Sequence, residues 1–406
     1  MKIGLIRDPG SEDGDGQSLY VAQAARHLAS LGHQVDVFTR REEDLVSDVV
    51  AWAPGVRIIH LKAGPPRHVP KEELLPHLPA FCGRLVDFVR LQRPRYGFMH
   101  ANSWMSGLAA LEVRRLLGIP FAITFHALGR ARRIDRGAAA LPAERLSIED
   151  RLVSEADALL AGCPQDRDDL VTLYRADPRR IAVVPCGFDP SEFRPGSRRS
   201  ARRRIGIDTR DRVLLHLGRI VPPKGIETVV RAVGELSRRR TFTRLLVVGG
   251  ESDHPDPVTT PEMARLASIA REEGVEDRVV FTGRRTRETL RWYYAAADVF
   301  VTTPWYEAFG VRPLESMACG TPVIGSQVGG IQYTVLDGKT GFLVPPSDHK
   351  AVADRALRLF RNASLRRRLS RQGIARVHGT FTWKRVARTL ESVYTSLAQA
   401  SAEPLP

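Results

Sequence analysis

Glu307 and Glu315 stand eight positions apart in the stretch 306–330, YEAFGVRPLESMACGTPVIGSQVGG. A carboxylate accepts hydroxyl donors in pairs, so one glutamate can hold a sugar ring and the other a ribose. Phe309, Gly310 and Val311 lie between them, while Pro313 and Gly320 are residues suited to open and stop a short helix. Residues 309–311 are therefore expected at a helix N-terminus. Backbone N–H groups there can hold a phosphate, and Gly310 lets it approach closely. Glu315 is expected in the first helical turn, where it can also do no more than offset the helix dipole.

A second group is Leu217-Gly218-Arg219-Ile220-Val221-Pro222-Pro223-Lys224-Gly225, between a strand pattern and a helix pattern. Two fixed cations at such a turn, Arg219 and Lys224, can neutralise a diphosphate and stabilise the charge it gains as a leaving group. Arg284, after Phe281-Thr282-Gly283, is a candidate for the wall around a base. Asp13-Gly14-Asp15-Gly16-Gln17-Ser18 offers a flexible glycine turn ahead of a helix, though not with the spacing G-x-G-x-x-G. Thr124 and His126 end an apolar run. A histidine there serves either the core or a ligand, and His100, in Met99-His100-Ala101-Asn102, is open to the same two readings.

The elements that must carry these residues alternate between strand-like and helix-like. Residues 3–6 read as a strand, 17–31 as a helix with Val21, Ala25, Leu28 and Leu31 on one face, and 34–39 as the next strand. The rhythm continues through 56–61, 72–91, 97–100, 104–117, 121–125 and 158–161, breaks at the prolines and glycines of 185–196, and resumes from 213 to 344. Alternation of this kind predicts parallel sheets with helices on both faces. The expected division is 1–190, 191–378 and a C-terminal helix within 379–406 that can pack back on the first domain. Two such domains would turn the C-terminal ends of their strands to one cleft.

The chain has 406 residues, of which 43% are hydrophobic, enough for two globular cores. No apolar run approaches the roughly 18 residues needed to cross a bilayer, and the short 3–6 run is no signal peptide, so a cytoplasmic protein is expected. Four scattered cysteines, Cys82, Cys163, Cys186 and Cys319, suggest neither a disulfide framework nor a zinc site. The net charge of +15 calls for an anionic partner. The triplets Arg202-Arg203-Arg204, Arg238-Arg239-Arg240 and Arg366-Arg367-Arg368 read either as solvated faces or as contacts to an anionic membrane surface.

The stretch 306–330 resembles the donor-site signature of the retaining GT-B glycosyltransferases of family 4, nearly position by position, and the resemblance extends over essentially the whole chain. It implies an α/β, GT-B fold of two Rossmann-like domains facing a central cleft. The activity implied is transfer of a hexose or N-acetylhexosamine from a nucleotide diphosphate sugar, with UDP favoured. By that resemblance Glu307 contacts the donor sugar, Phe309, Gly310 and Val311 line the phosphate, and Glu315 binds the ribose. Arg219 and Lys224 match the family's Gly-Arg…Lys-Gly. The glycine turn at Gly16, followed by Tyr20-Val21, is similar to the family loop that approaches the reacting sugar. Thr124 and His126 match a T-x-H that stands near its reacting carbon.

Ala63-Gly64-Pro65, residues 70–74 and residues 124–130 are similar to two branches, the inositol-phosphate N-acetylglucosaminyltransferases and the sucrose-phosphate synthases. Both use phosphorylated acceptors, which implies acceptor contacts at Ser18, Lys71, Thr124 and Arg145, with Arg130, Arg132 and Arg133 nearby. Ser103 and Ala127 depart from the first branch, where a Tyr and a Thr contact the phosphate. The family resemblance implies a front-face substitution in which the departing phosphate takes the acceptor's proton. Arg219 and Lys224 would supply the electrostatics otherwise given by a metal, so no cofactor and no essential divalent ion are expected. Competing readings are a lipid-directed enzyme of the phosphatidylinositol type, a nucleotide-sugar 2-epimerase, and a nucleic-acid binder. No helix-turn-helix, zinc finger or RNP-like motif supports the last.

Overall fold

A computed structural model describes residues 1–9, 16–131, 142–208 and 210–400. The chain forms two compact units, Met1–Cys186 with the helix Trp383–Ala400, and Gly187–Thr382.

The first unit holds an eight-stranded sheet: β1 Lys2–Ile6, β2 Gln34–Arg40, β3 Val49–Ala53, β4 Val56–Leu61, β5 Phe98–Ala101, β6 Phe121–Ile123, β7 Ala158–Ala161 and β8 Ile181–Val183. Their order is β3-β4-β2-β1-β5-β6-β7-β8. All neighbours run parallel except β3, which pairs antiparallel to β4 at one edge. Strands β1, β5 and β7 are buried at every residue, because helices cover both faces of a parallel sheet. The register sets Ile6 beside Ala101 and Ala101 beside Ile123. The residues that leave β1, β5 and β6 therefore emerge side by side.

The second unit is a six-stranded, wholly parallel sheet of β9 Val213–Leu217, β10 Arg244–Val248, β11 Val279–Gly283, β12 Val299–Thr302, β13 Val323–Ser326 and β14 Gly341–Val344. Its order, β11-β10-β9-β12-β13-β14, reverses direction between β9 and β12. That reversal is where an open α/β sheet leaves a crevice for a ligand. One core layer joins Leu214, Val247 and Val301 to the helices Ile226–Arg238 and His349–Arg361. The other joins Leu215, Phe300, Leu314 and Met317 on the opposite face.

Several local expectations change. The helix-like run 72–91 is two 3-10 turns, Lys71–Glu73 and Leu75–His77, followed by a helix only at Leu78–Leu91. Pro76 cannot sit in a helix interior, whereas Pro79 is tolerated in a first turn. Strands β3 and β8 and the helices Ala143–Glu155, Pro164–Tyr174, His349–Arg361 and Ala363–Thr380 add to the expected series. The unit limits fall at 186/187 and 382/383, against the expected 190/191 and 378/379. The reason is a hydrogen bond from Phe188 N to Phe381 O (2.9 Å), which fastens both crossing segments inside the second unit.

The last helix belongs to the first unit. It buries Trp383 against Tyr20 (ring centroids 5.5 Å apart) and stacks Tyr394 on Phe98 (4.6 Å). No described helix is long and apolar enough to cross a membrane.

The arginine triplets are mostly exposed, in line with solvated faces, but each has a member drawn into the fold. Arg202 is buried and donates to Asp298 and to Ala296 O, while Arg238 and Arg239 pair with Glu235, Glu273 and Asp354. Arg367 and Arg368 are exposed.

Candidate active site

In the second unit the loop after β9 and the loop after β12 meet at the reversal of strand order. Gly225 permits the approach. A side chain at Gly225 (φ 64°) would put its Cβ 1.9 Å from Thr303 O, and Thr303 Oγ1 instead donates to Gly225 O at 2.7 Å. Lys224, in the 3-10 turn Pro222–Lys224, reaches across to Glu307, with Nζ 2.8 Å from Oε2. Burial opposes ionisation of Glu307, but Lys224, the Gly310 N–H and Arg312 outweigh it and hold the carboxyl below its usual range. Arg219 is exposed and forms no ion pair among the described residues.

Gly310 (φ 69°) caps the helix Val311–Ala318, and Phe309 precedes it half-buried. The Gly329-Gly330 pair packs beneath: Gly330 N donates to Glu307 O at 2.8 Å, and a Cβ on Gly329 would lie 2.1 Å from the same oxygen. The backbone of 307–310 is therefore fixed by contacts only glycine permits. Gly320 (φ 81°) ends the helix by donating to Met317 O.

Glu315 corrects one expectation. It is the fifth residue of its helix, beyond the first turn, and is 0% exposed. Its Oε1 accepts from Arg287 (3.1 Å), and its Oε2 accepts from Arg312 (2.8 Å) and Tyr294 OH (2.9 Å). A buried carboxylate needs such partners, and they come from two helices. Offsetting the helix dipole is not its main role. Arg312, Arg287 and Tyr294 escaped the sequence reading; only the spacing of Arg312, three residues before Glu315, hinted at a partner. Arg284 is exposed, with its guanidinium 3.7 Å from Asp253.

In the first unit the ends of β1, β5 and β6 bring Asp8, Asn102, Thr124 and His126 together. His126 takes φ 58°, a left-handed value uncommon outside glycine, and its Nε2 lies 3.3 Å from Asn102 Oδ1. Burial, then His100 and Lys71, lower its pKa to about 3. Thr124 is buried, with Oγ1 2.9 Å from His100 Nε2, and Tyr394 OH lies 2.6 Å from His100 Nδ1. Both ring nitrogens of His100 are thus used in the fold, and burial lowers its pKa to about 3. It is a core histidine.

Gly16 begins the helix Gly16–Ser30, and the next residue, Gln17, donates to Asn102 O. Ser18 is half-buried on the same helix. Asp13, Gly14 and Asp15 lie outside the described residues, as do Arg132 and Arg133.

Lys71 is half-exposed and paired with the buried Asp8, which the sequence reading passed over. Arg145 is held within the fold. It is 7% exposed, donates to Glu149 Oε1 (2.7 Å) and to Ala127 O (2.6 Å), and Glu149 in turn accepts from Gly129 N and Tyr174 OH. Arg145 braces the loop after His126. Arg130 pairs with Asp150 at 2.6 Å. No group of three metal-binding side chains occurs among the described residues.

The family models agree with this division. Residues 197–376 match the Glycosyl transferases group 1 model and residues 15–187 a Glycosyl transferase 4-like domain. A D-inositol 3-phosphate glycosyltransferase of Corynebacterium efficiens is 34% identical over 99% of this chain and 95% of its own. The chain belongs to the group 1 glycosyltransferases. A relative of the same name from Acidothermus cellulolyticus is 37% identical over 95% of this chain and 86% of its own. Among solved structures, sucrose-phosphate synthase from Thermosynechococcus elongatus superposes with a TM-score of 0.88 at 32% identity, covering 98% and 99% of the two chains. An Anabaena protein solved with UDP and glucose shares the GT-B fold at 17% identity, with a TM-score of 0.77 and coverage of 98% and 100%. The protein is thus a hexosyltransferase of GT-B fold that uses a nucleotide-sugar donor.

Proposed function

We propose that this glycosyltransferase moves a hexose or N-acetylhexosamine from a UDP-sugar to a hydroxyl of a small phosphorylated acceptor, with retention at the anomeric carbon and without an essential divalent ion. The observation that carries the reading is the Lys224–Glu307 pair at the glycine-packed helix N-terminus of Gly310. A diphosphate placed there meets backbone N–H groups and Lys224, with exposed Arg219 on the same loop. As the bond to the sugar breaks, charge grows on the departing phosphate, and these fixed donors stabilise it without reorganising. Glu307, ionised and held by Lys224, is suited to accept sugar hydroxyls. Its ion pair makes it a poor nucleophile, which favours front-face substitution, the leaving phosphate oxygen taking the acceptor's proton.

Glu315 keeps one acceptor position after its three protein donors, and a ribose hydroxyl fits that position. Arg284 remains the candidate beside the base. On the acceptor side Lys71 is the cation available to exchange Asp8 for a phosphate, with Thr124 and Ser18 close to the same strand ends. The phosphorylated acceptor is supported by relatives named for inositol 3-phosphate and sucrose phosphate.

The test is thermal stabilisation by UDP, GDP and ADP, with and without EDTA, since a ligand bound only by the folded state raises its stability. A UDP-selective, EDTA-insensitive shift that Lys224→Ala abolishes is expected. A shift that vanishes with EDTA would refute the metal-free reading, and selectivity for GDP or ADP would replace the base.

A further inference from the structure

We propose that the outer side of the helix Ala363–Thr380 is a docking surface for an anionic lipid bilayer, held by the charges of Arg361, Arg367, Arg368 and Arg371. These residues all belong to the second unit, and the inference is independent of the donor and acceptor readings.

Residues 355–376 contain eight arginines and no aspartate or glutamate. Four of the eight have contacts in the fold. Arg355 and Arg358 lie over the ring of Phe342 (4.9 and 5.3 Å), Arg366 donates to Leu359 O (2.9 Å), and Arg376 donates to Thr334 O (2.9 Å). The other four, Arg361, Arg367, Arg368 and Arg371, are exposed and meet no hydrogen-bond or ion-pair partner among the described residues. The helix turns Leu365, Leu369, Gly373 and Val377 inward. At about 3.6 residues per turn, Arg367, Arg368 and Arg371 fall together on the opposite side.

Local rules oppose this arrangement. Arg367 and Arg371 are like charges four residues apart, which destabilises a helix, and arginines near its N-terminal end work against the helix dipole. The first turn holds no acidic residue to offset them. Elsewhere in the unit surface arginines are neutralised: Arg231, Arg238 and Arg265 pair with Glu273, Glu235 and Glu262. The positive excess also spreads beyond the helix. Burial, then Arg198, with Arg212 and Arg367 adding to them, hold the Arg366 guanidinium below its usual range against the opposing Asp298. That carboxylate is already shared by Arg198 (2.7 Å) and Arg202 (2.9 Å). An external anionic surface relieves the repulsion that the fold leaves.

The chemistry of the face favours a bilayer over a nucleic acid. Beside its arginines it exposes Ser364, Gln372, Ala375 and His378, with no Phe, Tyr or Trp on which successive bases could stack. It also has no large apolar side chain to insert between lipids, so adsorption is electrostatic and sensitive to salt.

The experiment is co-sedimentation of the full chain with vesicles of phosphatidylglycerol in phosphatidylcholine, beside vesicles of phosphatidylcholine alone. Binding to the anionic vesicles only is expected. It should vanish as salt rises from about 0.1 M to about 1 M, where the screening length falls from about 10 Å to about 3 Å. The triple variant Arg367→Gln, Arg368→Gln, Arg371→Gln should partition roughly 100-fold less, since each arginine near a negative surface contributes about fivefold. Its melting temperature should not fall, because no partner in the fold is lost. A control with the same loss of charge, Arg179→Gln, Arg210→Gln, Arg271→Gln, should bind nearly as the wild type does, since each of those arginines already faces a carboxylate.

No binding of the wild type to anionic vesicles at low salt would overturn the proposal. Equal losses in the two triple variants would overturn it too, for the binding would then belong to the net charge of +15 as a whole. Binding to duplex DNA in place of the vesicles, lost in the first triple variant, would give the face to a nucleic acid and refute the bilayer.

Discussion

The ammonium of Lys224 lies 2.8 Å from the carboxylate of Glu307, although 83 residues separate them in the chain. One residue leaves the loop after β9 and the other the loop after β12, strands that are neighbours only at the reversal of sheet order. The pair sets a cation beside a carboxylate held below its usual pKa, as the proposed donor site requires.

Breaking that pair from each side should give different losses. Lys224→Ala should abolish nucleotide-dependent stabilisation and lower kcat by about 10²–10³-fold, the range for removing a group that stabilises transition-state charge. Glu307→Gln should keep nucleotide binding and lose mainly kcat with the intact donor sugar. Calorimetric titration with UDP, beside steady-state kinetics, separates the two. Equal loss of UDP affinity in both variants would refute the division of roles.

The same pair has a pH signature. The folded-state pKa of Glu307 lies below the ordinary 4.5, so its contribution to stability is present above that value and is lost as pH falls through the folded value. Glu307→Gln should therefore cost stability at pH 7 and little at pH 3. Melting curves across pH 3–7 on both proteins check the sign.

The buried histidines act in the same direction by another route. His100 and His126 have folded values near 3, and His216 near 4, each depressed first by burial. Unfolding lets each take up a proton below its ordinary 6.5, so stability should fall as pH drops from 6.5 toward 4. The slope is up to about 1.4 kcal/mol per pH unit for each histidine. Denaturant titrations at pH 7, 6 and 5 should show the slope, and His100→Gln should flatten it by one proton's worth.

Glu315 and Arg145 should behave as parts of the fold. Glu315→Ala leaves Arg287, Arg312 and Tyr294 without their shared acceptor, and Arg145→Ala leaves the fully buried Glu149 without its cation. Each should cost about 3–5 kcal/mol, with Glu315 toward the lower end because its arginines reach solvent. Urea midpoints with unchanged m-values would verify this. Lys71→Ala leaves the fully buried Asp8 without this cation, so it should also cost stability, on the order of 3 kcal/mol, and raise the acceptor KM roughly tenfold or more. An unchanged acceptor KM would remove Lys71 from the acceptor site.

Much of this protein was legible in the sequence because it depends on local rules. Alternating apolar periods predict βα units, Gly310 and Gly320 bound the helix that carries Glu315, and the signature at 307–315 with Arg219 and Lys224 points to the donor site proposed above. Proline placement carried information that the helical period concealed, as at Pro76. The tertiary structure alone decided which charges are spent. Arg145 and Lys71 look alike along the chain, yet Arg145 is closed over a buried Glu149 and Lys71 keeps a half-exposed ammonium. Glu315 acquires Arg287 and Tyr294 from another helix, and His126 acquires Asn102 only through the register of β5 and β6. Spacing fixes what lies within a turn or a strand. A side chain's protonation and orientation are set by burial and by partners from other elements, which only packing brings within hydrogen-bond distance.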